Sequence, residues 1–514
     1  MRNFIKKTGL VGLFVSGVAL GILLSVHLSA VAEQEHKPSI PYEDLQLLAT
    51  VFGKIKSSYV DQVPDDKLIR EAINGMVHGL DPHSDFLDSH ELEDLKVSTQ
   101  GKFGGLGIEV NSENDVVKVV SPIEDTPAFR AGIKSGDLII KIDETVTRGL
   151  PLSKAVDMMR GKPGTSVTLT IARKDETMPL VFKLVREEIN VKSIRYKMVE
   201  PGYGYVRIRT FQERSGEDLM LAVKSLYKEA PLKGLVLDLR SNPGGLLSQA
   251  VSVSAAFLPK DAMVVYTEGR IADARMELKA RPRDYLSIAG KGLLAKDYLA
   301  DLPAAVKTVP MVVLIDGGSA SASEIVAGAL QDHQRALLMG ASSFGKGSVQ
   351  TIMQIDATHA LKLTTARYFT PSGRSIQAKG IDPDVAVDDG RDVLRIREAN
   401  LEHHMETPKN GKAAPHNDGK ENSRKEKDEN DDKALPPARF EFGSAEDFQL
   451  QQALNQLKGL PVIAAIKKAE KKNDGETVEG AAEKAASSSE TGGETAPKNQ
   501  GAPGALKAPP AEKQ

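Results

Sequence analysis

The chain has 514 residues and a formal net charge of −3, long enough for several domains and without the basic excess of a nucleic-acid surface. It contains no cysteine, which excludes disulfide scaffolds, thiol nucleophiles and thiolate metal sites. The 10 histidines show no zinc-peptidase spacing, and His403-His404 lies near a polar tail, so no metal and no cofactor is expected.

At the start of the chain, Arg2, Lys6 and Lys7 precede an apolar segment over residues 10–31, and Ala30-Val31-Ala32 satisfies the small-residue rule for signal cleavage. The segment also approaches the ~20 residues that span a bilayer, so residues 1–32 read as a signal peptide or a membrane anchor. Either reading makes the remainder exported. Residues 33–100 read as a helical module. Leu45, Leu48, Phe52, Ile55 and Tyr59 recur at helical steps, as do Leu68, Ile69, Ile73, Met76 and Val77, until Asp81-Pro82 breaks the pattern. Ordinary packing accounts for such stripes.

The texture changes over residues 101–188. Phe103-Gly104-Gly105-Leu106-Gly107-Ile108 is a glycine loop entering a strand, followed by strands over residues 116–120 and 139–142, a helix over 152–160, and strands over 167–171 and 180–185. This order closely resembles a PDZ domain. Backbone N–H groups around Gly105, Leu106 and Gly107 can form a nest for a terminal carboxylate, and the strand from Ile108 can pair with an extended peptide lying against Val156 and Met159.

Residues 189–390 alternate strand and helix, which implies a largely parallel buried sheet. Residues 391–440 hold a short helical stretch to about Leu401 and then a polar linker, and residues 441–470 contain a helix with an apolar stripe that docks back. Residues 471–514 are Ala/Glu/Ser/Gly/Pro/Lys-rich and read as a disordered tail.

The chemistry concentrates between Met311 and Gln350. The apolar run Met311-Val312-Val313-Leu314-Ile315 reads as a buried strand, Asp316-Gly317-Gly318 breaks it, and Ser319-Ala320-Ser321-Ala322-Ser323-Glu324 opens a helix. Strand, tight turn and helix start can present a hydroxyl beside free N–H groups. A serine needs a base. His333 lies twelve positions beyond Ser321, about 18 Å along one helix and out of reach. Lys346 follows the neighbouring strand between two glycines, and burial would supply the neutral amine a base requires. Alternation places Lys346, Ser348 and Gln350 on one face, so that Gln350 can orient the amine. The oxyanion would meet the Ala322 N–H and a second donor for which Asn242-Pro243-Gly244-Gly245 is the candidate, although that motif alone reads as an ordinary turn. The rival nucleotide reading of Gly340 to Lys346 fails because Gly347 stands where a magnesium-binding hydroxyl is needed and no helix follows.

Four blocks, Ser319 to Glu324, Phe344 to Gln350, Asp238 to Gly245 and Lys362 to Gly373, together with Leu80-Asp81-Pro82-His83-Ser84, resemble the signatures of the carboxyl-terminal processing serine peptidases. The resemblance covers most of residues 42–385. It implies an α/β fold, in α+β multidomain form: a crotonase- and Clp-protease-like peptidase core with an inserted PDZ domain, an N-terminal helical module and a disordered C-terminal tail. It also implies Ser321 as nucleophile, Lys346 as base, Gln350 as its positioner, and Ala322 with Gly244 or Gly245 as oxyanion donors. Ser319 and Ser323 stay open as rival nucleophiles. The partners it implies are proteins or peptides with apolar C-termini and a second copy of the chain, in a dimer or larger homo-oligomer. An adaptor protein, an inner-membrane attachment and a location in a bacterial periplasm complete the expectation. A binding-only adaptor built on the same core, and an acyl-CoA enzyme, are the competing classes.

Overall fold

The computed structural model describes residues 41–113, 115–174, 176–286, 296–388, 396–407 and 442–463. The expected leader over residues 1–32, the polar linker and the tail after residue 471 fall outside them or nearly so. Among the described residues no helix is long and apolar enough to cross a membrane.

Residues 203–340 build the centre. Tyr203–Ile208, Gly234–Asp238, Met311–Ile315, Leu337–Gly340 and Val385–Ala386 pair in parallel in that order, and Ile194–Glu200 adds an antiparallel edge. Every residue of Gly234–Asp238 and Met311–Ile315 is buried, as expected of parallel strands covered on both faces. Helices Ser215–Glu229, Leu247–Phe257 and Ala322–Asp332 cover one face, through Leu219, Val223, Val251, Phe257, Ile325 and Leu330. Each such buried side chain contributes roughly 1.5–3 kcal/mol. The opposite face is closed by helix Phe448–Lys458, whose Leu450, Ala453 and Leu454 pack on Tyr205, Val236, Val312 and Leu314. Its N-cap Asp447 pairs at 2.6 Å with the buried Arg240, which also holds Asp238.

A second sheet is antiparallel. Ala360–Phe369 is its spine, flanked on one side by Ser348–Gln354 and on the other by Asp85–Leu87 and then Met263–Gly269, which pairs with Glu277–Lys279. Met263–Gly269 therefore leaves the alternating pattern that the sequence suggested for it. Lys346 sits where the chain leaves the parallel sheet for this one, so the two candidate catalytic residues belong to different sheets rather than adjoining strands of one.

Residues 102–190 form a β-sandwich-like module. Ile108–Glu113, Val116–Pro122, Leu138–Ile142, Ser166–Ala172 and Leu180–Val185 make one sheet around Val119, Ile139, Leu169 and Ile171, and helix Leu152–Met159 lies over it. Gly104 belongs to a separate two-stranded ladder, Lys102–Gly105 with Glu187–Asn190, because Gly161 approaches it too closely for any side chain.

Ahead of it lie helices Tyr42–Ser58, Asp65–His78 and Ser89–Gln100. Tyr42–Ser58 buries no residue and leaves Leu45, Leu48 and Ile55 exposed, so packing among the described residues does not account for its apolar stripe.

Candidate active site

Ser321 ends the turn after Met311–Ile315 and caps helix Ala322–Asp332, with φ 53° and ψ −112°. A non-glycine residue held there costs about 1–3 kcal/mol and persists only when its surroundings fix it. They do. Ser319 Oγ donates to the Leu239 carbonyl and accepts from the Asp316 N–H, Ser323 Oγ donates to the Asn242 carbonyl, and both serines are fully buried. Ser321 alone of the three is half-exposed, which removes its two rivals. His333 caps the far end of the helix and meets the Met263 carbonyl at 2.7 Å.

The turn is locked to the Asn242-to-Gly245 loop. The Asn242 carbonyl accepts from the Ala320 N–H, and its side chain donates to the Ile208 carbonyl. A Cβ on Gly244 would lie 2.9 Å from Ser321 Cβ and 3.0 Å from the Ala322 nitrogen, and one on Gly245 would lie 2.2 Å from the Phe211 oxygen. Gly244, however, donates its N–H to Asn242 Oδ1, so it is spent as an oxyanion donor and serves by leaving space. The Ala322 and Gly245 N–H groups make no hydrogen bond among the described residues. Ala322 is buried and Gly245 exposed, and amide donors left without acceptors are the requirement for receiving an oxyanion.

Glu324 joins the two halves of the site. It is fully buried, and its Oε2 accepts from the Ser321 N–H at 2.7 Å and the Lys346 N–H at 3.0 Å. Ser321 and Lys346 therefore stand no farther apart, nitrogen to nitrogen, than those two bonds end to end. Its Oε1 accepts from Ser343 Oγ and the Gly345 N–H. Burial, the largest cause, raises its pKa to about 7, against four hydrogen bonds that favour the anion. Tyr368 is a second link. Its hydroxyl donates to the Lys346 carbonyl and lies within hydrogen-bond reach of the Ser321 side chain, and burial holds its pKa well above the phenolic range.

Lys346 has its pKa lowered to about 8, first by burial and then by Lys362, with Glu398, Asp81 and Glu324 pulling the other way. Among the described residues no hydrogen bond joins its amine to the Ser321 hydroxyl; the residues converge through Glu324 and Tyr368. No hydrogen bond joins Gln350 to the amine among the described residues. Lys346 precedes strand Ser348–Gln354 and stands outside its alternation, and the Gln350 amide donates to Ser348 Oγ and Thr364 Oγ1 instead. Thr364 in turn donates to Asp81, which also binds Ser84 Oγ and the His83 N–H. His83 meets the buried Glu398 at 2.8 Å, and Gln377 ties Glu398 to the Gly347 N–H. Glu324, Tyr368, Asp81, Gln377 and Glu398 were not singled out from the sequence. Only the recurrence of the motifs that contain Glu324, Tyr368 and Asp81 pointed to them, and Glu398 and Gln377 carried no signal.

In the module over residues 102–190, Gly105, Leu106, Gly107, Ile108, Val156 and Met159 all line one cavity of about 110 Å³ with Phe103, Val110 and Arg160. Strand Ile108–Glu113 is a sheet edge beside it, free to accept another strand. Arg160 packs over the Phe103 ring and pairs with Asp94, and His90 meets Asp157 at 3.0 Å, so the groove helix is tied to helix Ser89–Gln100.

A half-buried lysine beside a strained serine, two free amide donors and a peptide groove define a serine-type peptidase carrying a PDZ domain. Comparisons agree: residues 202–387 match peptidase family S41, residues 104–184 the PDZ domain, and residues 23–91 the activating protease CtpB N-terminal domain. A carboxy-terminal-processing protease of Bartonella bacilliformis is 47% identical over 378 residues, covering 73% of this chain and 82% of that protein. A probable CtpA-like serine protease of Staphylococcus epidermidis is 33% identical over 379 residues, 72% of each chain. Among solved structures, the photosystem II D1 C-terminal processing protease aligns at 29% identity with a TM-score of 0.37, over 65% of this chain and 86% of that one. This chain belongs to peptidase family S41, as a carboxyl-terminal processing serine peptidase with a PDZ domain.

Proposed function

We propose that the chain is an exported endopeptidase whose PDZ groove captures the apolar C-terminal tail of a protein substrate and whose Ser321–Lys346 dyad cleaves near that end. The observation that carries the dyad is the single Glu324 oxygen bound to both backbones, with the only half-exposed serine of the motif on one side and a lysine depressed to about 8 on the other.

Lys346 Nζ, neutral and turned toward Ser321 Oγ by rotation of its side chain, takes the hydroxyl proton as Oγ bonds to the scissile carbonyl carbon. The developing oxyanion accepts from the Ala322 and Gly245 N–H groups. Collapse breaks the C–N bond, and Lys346 returns the proton to the departing amine, leaving an acyl-enzyme ester at Ser321. Water then attacks the ester, gives a proton to Lys346, and the proton passes back to Ser321. The free edge of Ile108–Glu113 and the apolar walls Val156 and Met159 support tail capture. Residues 1–32 support export to a bacterial periplasm, by signal or inner-membrane anchor. The exposed stripe of Tyr42–Ser58 supports assembly of copies into a dimer or larger oligomer.

The test is casein digestion and fluorophosphonate labelling of wild type, Ser321→Ala and Lys346→Ala, with binding of a fluorescent tail peptide measured in parallel. Both variants should lose turnover and keep tail binding. Turnover by Lys346→Ala rules out the dyad, and labelling that survives Ser321→Ala rules out the nucleophile.

A further inference from the structure

A cavity of about 900 Å³ lies against the antiparallel sheet, where no chemistry has yet been assigned. It opens at a gap in the strand pairing of the spine. On one side of Ala360–Phe369, Asp85–Leu87 pairs only as far as Lys362 and Met263–Gly269 begins only at Ala366. Thr364 and Thr365 line the cavity at this gap between the two flanking strands, beside Gly269 and Arg270, with the Thr364 N–H donating to Ser84 Oγ. The site is close to the catalytic base. Met405, on the cavity wall, accepts through its carbonyl from Gln377, whose other amide atom holds the Gly347 N–H. Arg367, also on the wall, pairs across the sheet with Ser348 and precedes the Tyr368 that touches Lys346.

The charges of this cavity do not balance. The Arg367 side chain makes no hydrogen bond or ion pair among the described residues, and its Nε is buried without a partner. Glu268 is its cross-strand neighbour, yet no ion pair joins them. Glu277 is held by Lys279 at 3.1 Å. Arg275 reaches only the Gly269 carbonyl, and Arg270 has no ion pair among the described residues. Three guanidinium groups thus face a single uncommitted carboxylate. Burial alone lowers the Arg367 pKa, with no neighbouring charge to offset it. A guanidinium desolvated in this way gains most from a carboxylate brought by a ligand, which restores the charge-assisted hydrogen bonds that the protein withholds.

We propose that Arg367 is a specificity residue that receives a carboxylate of the bound substrate in this cavity. The carboxylate is an Asp or Glu side chain of the peptide or its terminal α-carboxylate. Substrate lies in the cavity beside Thr365 and Arg367 while its scissile bond is at Ser321. This rests on the reading that Ser321 cleaves peptides, and extends it to which peptides are preferred.

The experiment uses the full-length enzyme and matched peptides with one cleavage site. One pair carries Glu or Gln at positions flanking that site, and the other ends in a free acid or an amide. Binding of labelled versions to enzyme carrying both Ser321→Ala and Arg367→Gln gives the PDZ groove's own preference, to be divided out. Wild type should favour the carboxylate member in kcat/KM by about tenfold. Arg367→Gln should bring that ratio close to one, and Arg367→Lys should retain most of it. An effect confined to the Glu/Gln pair assigns the side chain, and one confined to the acid/amide pair assigns the terminus. A wild-type enzyme that cleaves both members alike overturns the proposal without needing any variant to fold, and so does a preference that persists in Arg367→Gln. A wrong nucleophile would show itself separately, as fluorophosphonate labelling of Ser321→Ala.

Discussion

The two halves of the candidate site are held in different ways. Ser321 is fixed by its own neighbourhood: a strand, a turn, a helix start and a glycine loop, with Ser319 and Ser323 consumed as braces. Lys346 is fixed from afar. Its surroundings come from Asp81 in the helical module, Lys362 and Tyr368 in the antiparallel sheet, and Glu398 after the core. The nucleophile is a local construction, and the base is a tertiary one. Damage to the first should be steep and confined to chemistry, whereas damage to the second should be graded and visible in the pH profile.

The steepest test is Gly245→Ala. Its Cβ would meet the Phe211 carbonyl at 2.2 Å with φ at 140°, so the loop must move away from Ser321. Turnover should fall on the order of 10²–10³-fold, the usual loss for one oxyanion donor, and casein digestion with folding checked by circular dichroism measures it. Glu324→Gln should follow, because an amide cannot accept from all four donors that the carboxylate serves. A loss of about 10–100-fold in kcat/KM is expected from a disrupted buried network, and retained full activity would show that the link between the halves is dispensable. Gln350→Ala should cost less, about 2–5-fold in kcat, since its amide braces Ser348 and Thr364 rather than the amine.

The pH profile gives the smallest but most discriminating effects. Lys346 acts neutral, so kcat/KM should rise with pH through an apparent midpoint near 8. Asp81 and Glu398 raise this pKa, and Lys362 lowers it. Asp81→Asn or Glu398→Gln should therefore move the acid limb to lower pH, and Lys362→Met to higher pH. Shifts in the same direction for both kinds of variant would show that the limb belongs to another group.

The same contrast explains what was legible in the sequence. Local patterns carried the strand–turn–helix around Ser321, the module over residues 102–190 with all six groove residues, and the docking helix at residues 448–458. Alternation cannot see where a strand begins: Lys346 lies ahead of Ser348–Gln354, and no hydrogen bond joins it to Gln350 among the described residues. Nor can spacing assign a hydrogen atom. Gly244 and Gly245 look equivalent in the motif, yet Asn242 consumes the N–H of the first. Glu398 lies 315 positions from the His83 it meets, a separation over which periodicity holds no information. Met263–Gly269 was placed with the parallel strands because an apolar run does not announce which sheet it will join.

The buried Arg240 deserves a last consequence. It stands at the root of the Asn242-to-Gly245 loop, and part of its countercharge comes from Asp447, 207 positions later. The stretch matching the peptidase family ends at residue 387, short of that carboxylate. A protein trimmed to the family's limits would thus keep Ser321 and Lys346 while stripping that cation, beneath the Asn242-to-Gly245 loop, of one of its two carboxylates and leaving it only Asp238. The functional unit of this enzyme closes on itself only when the far end of the folded chain has come home.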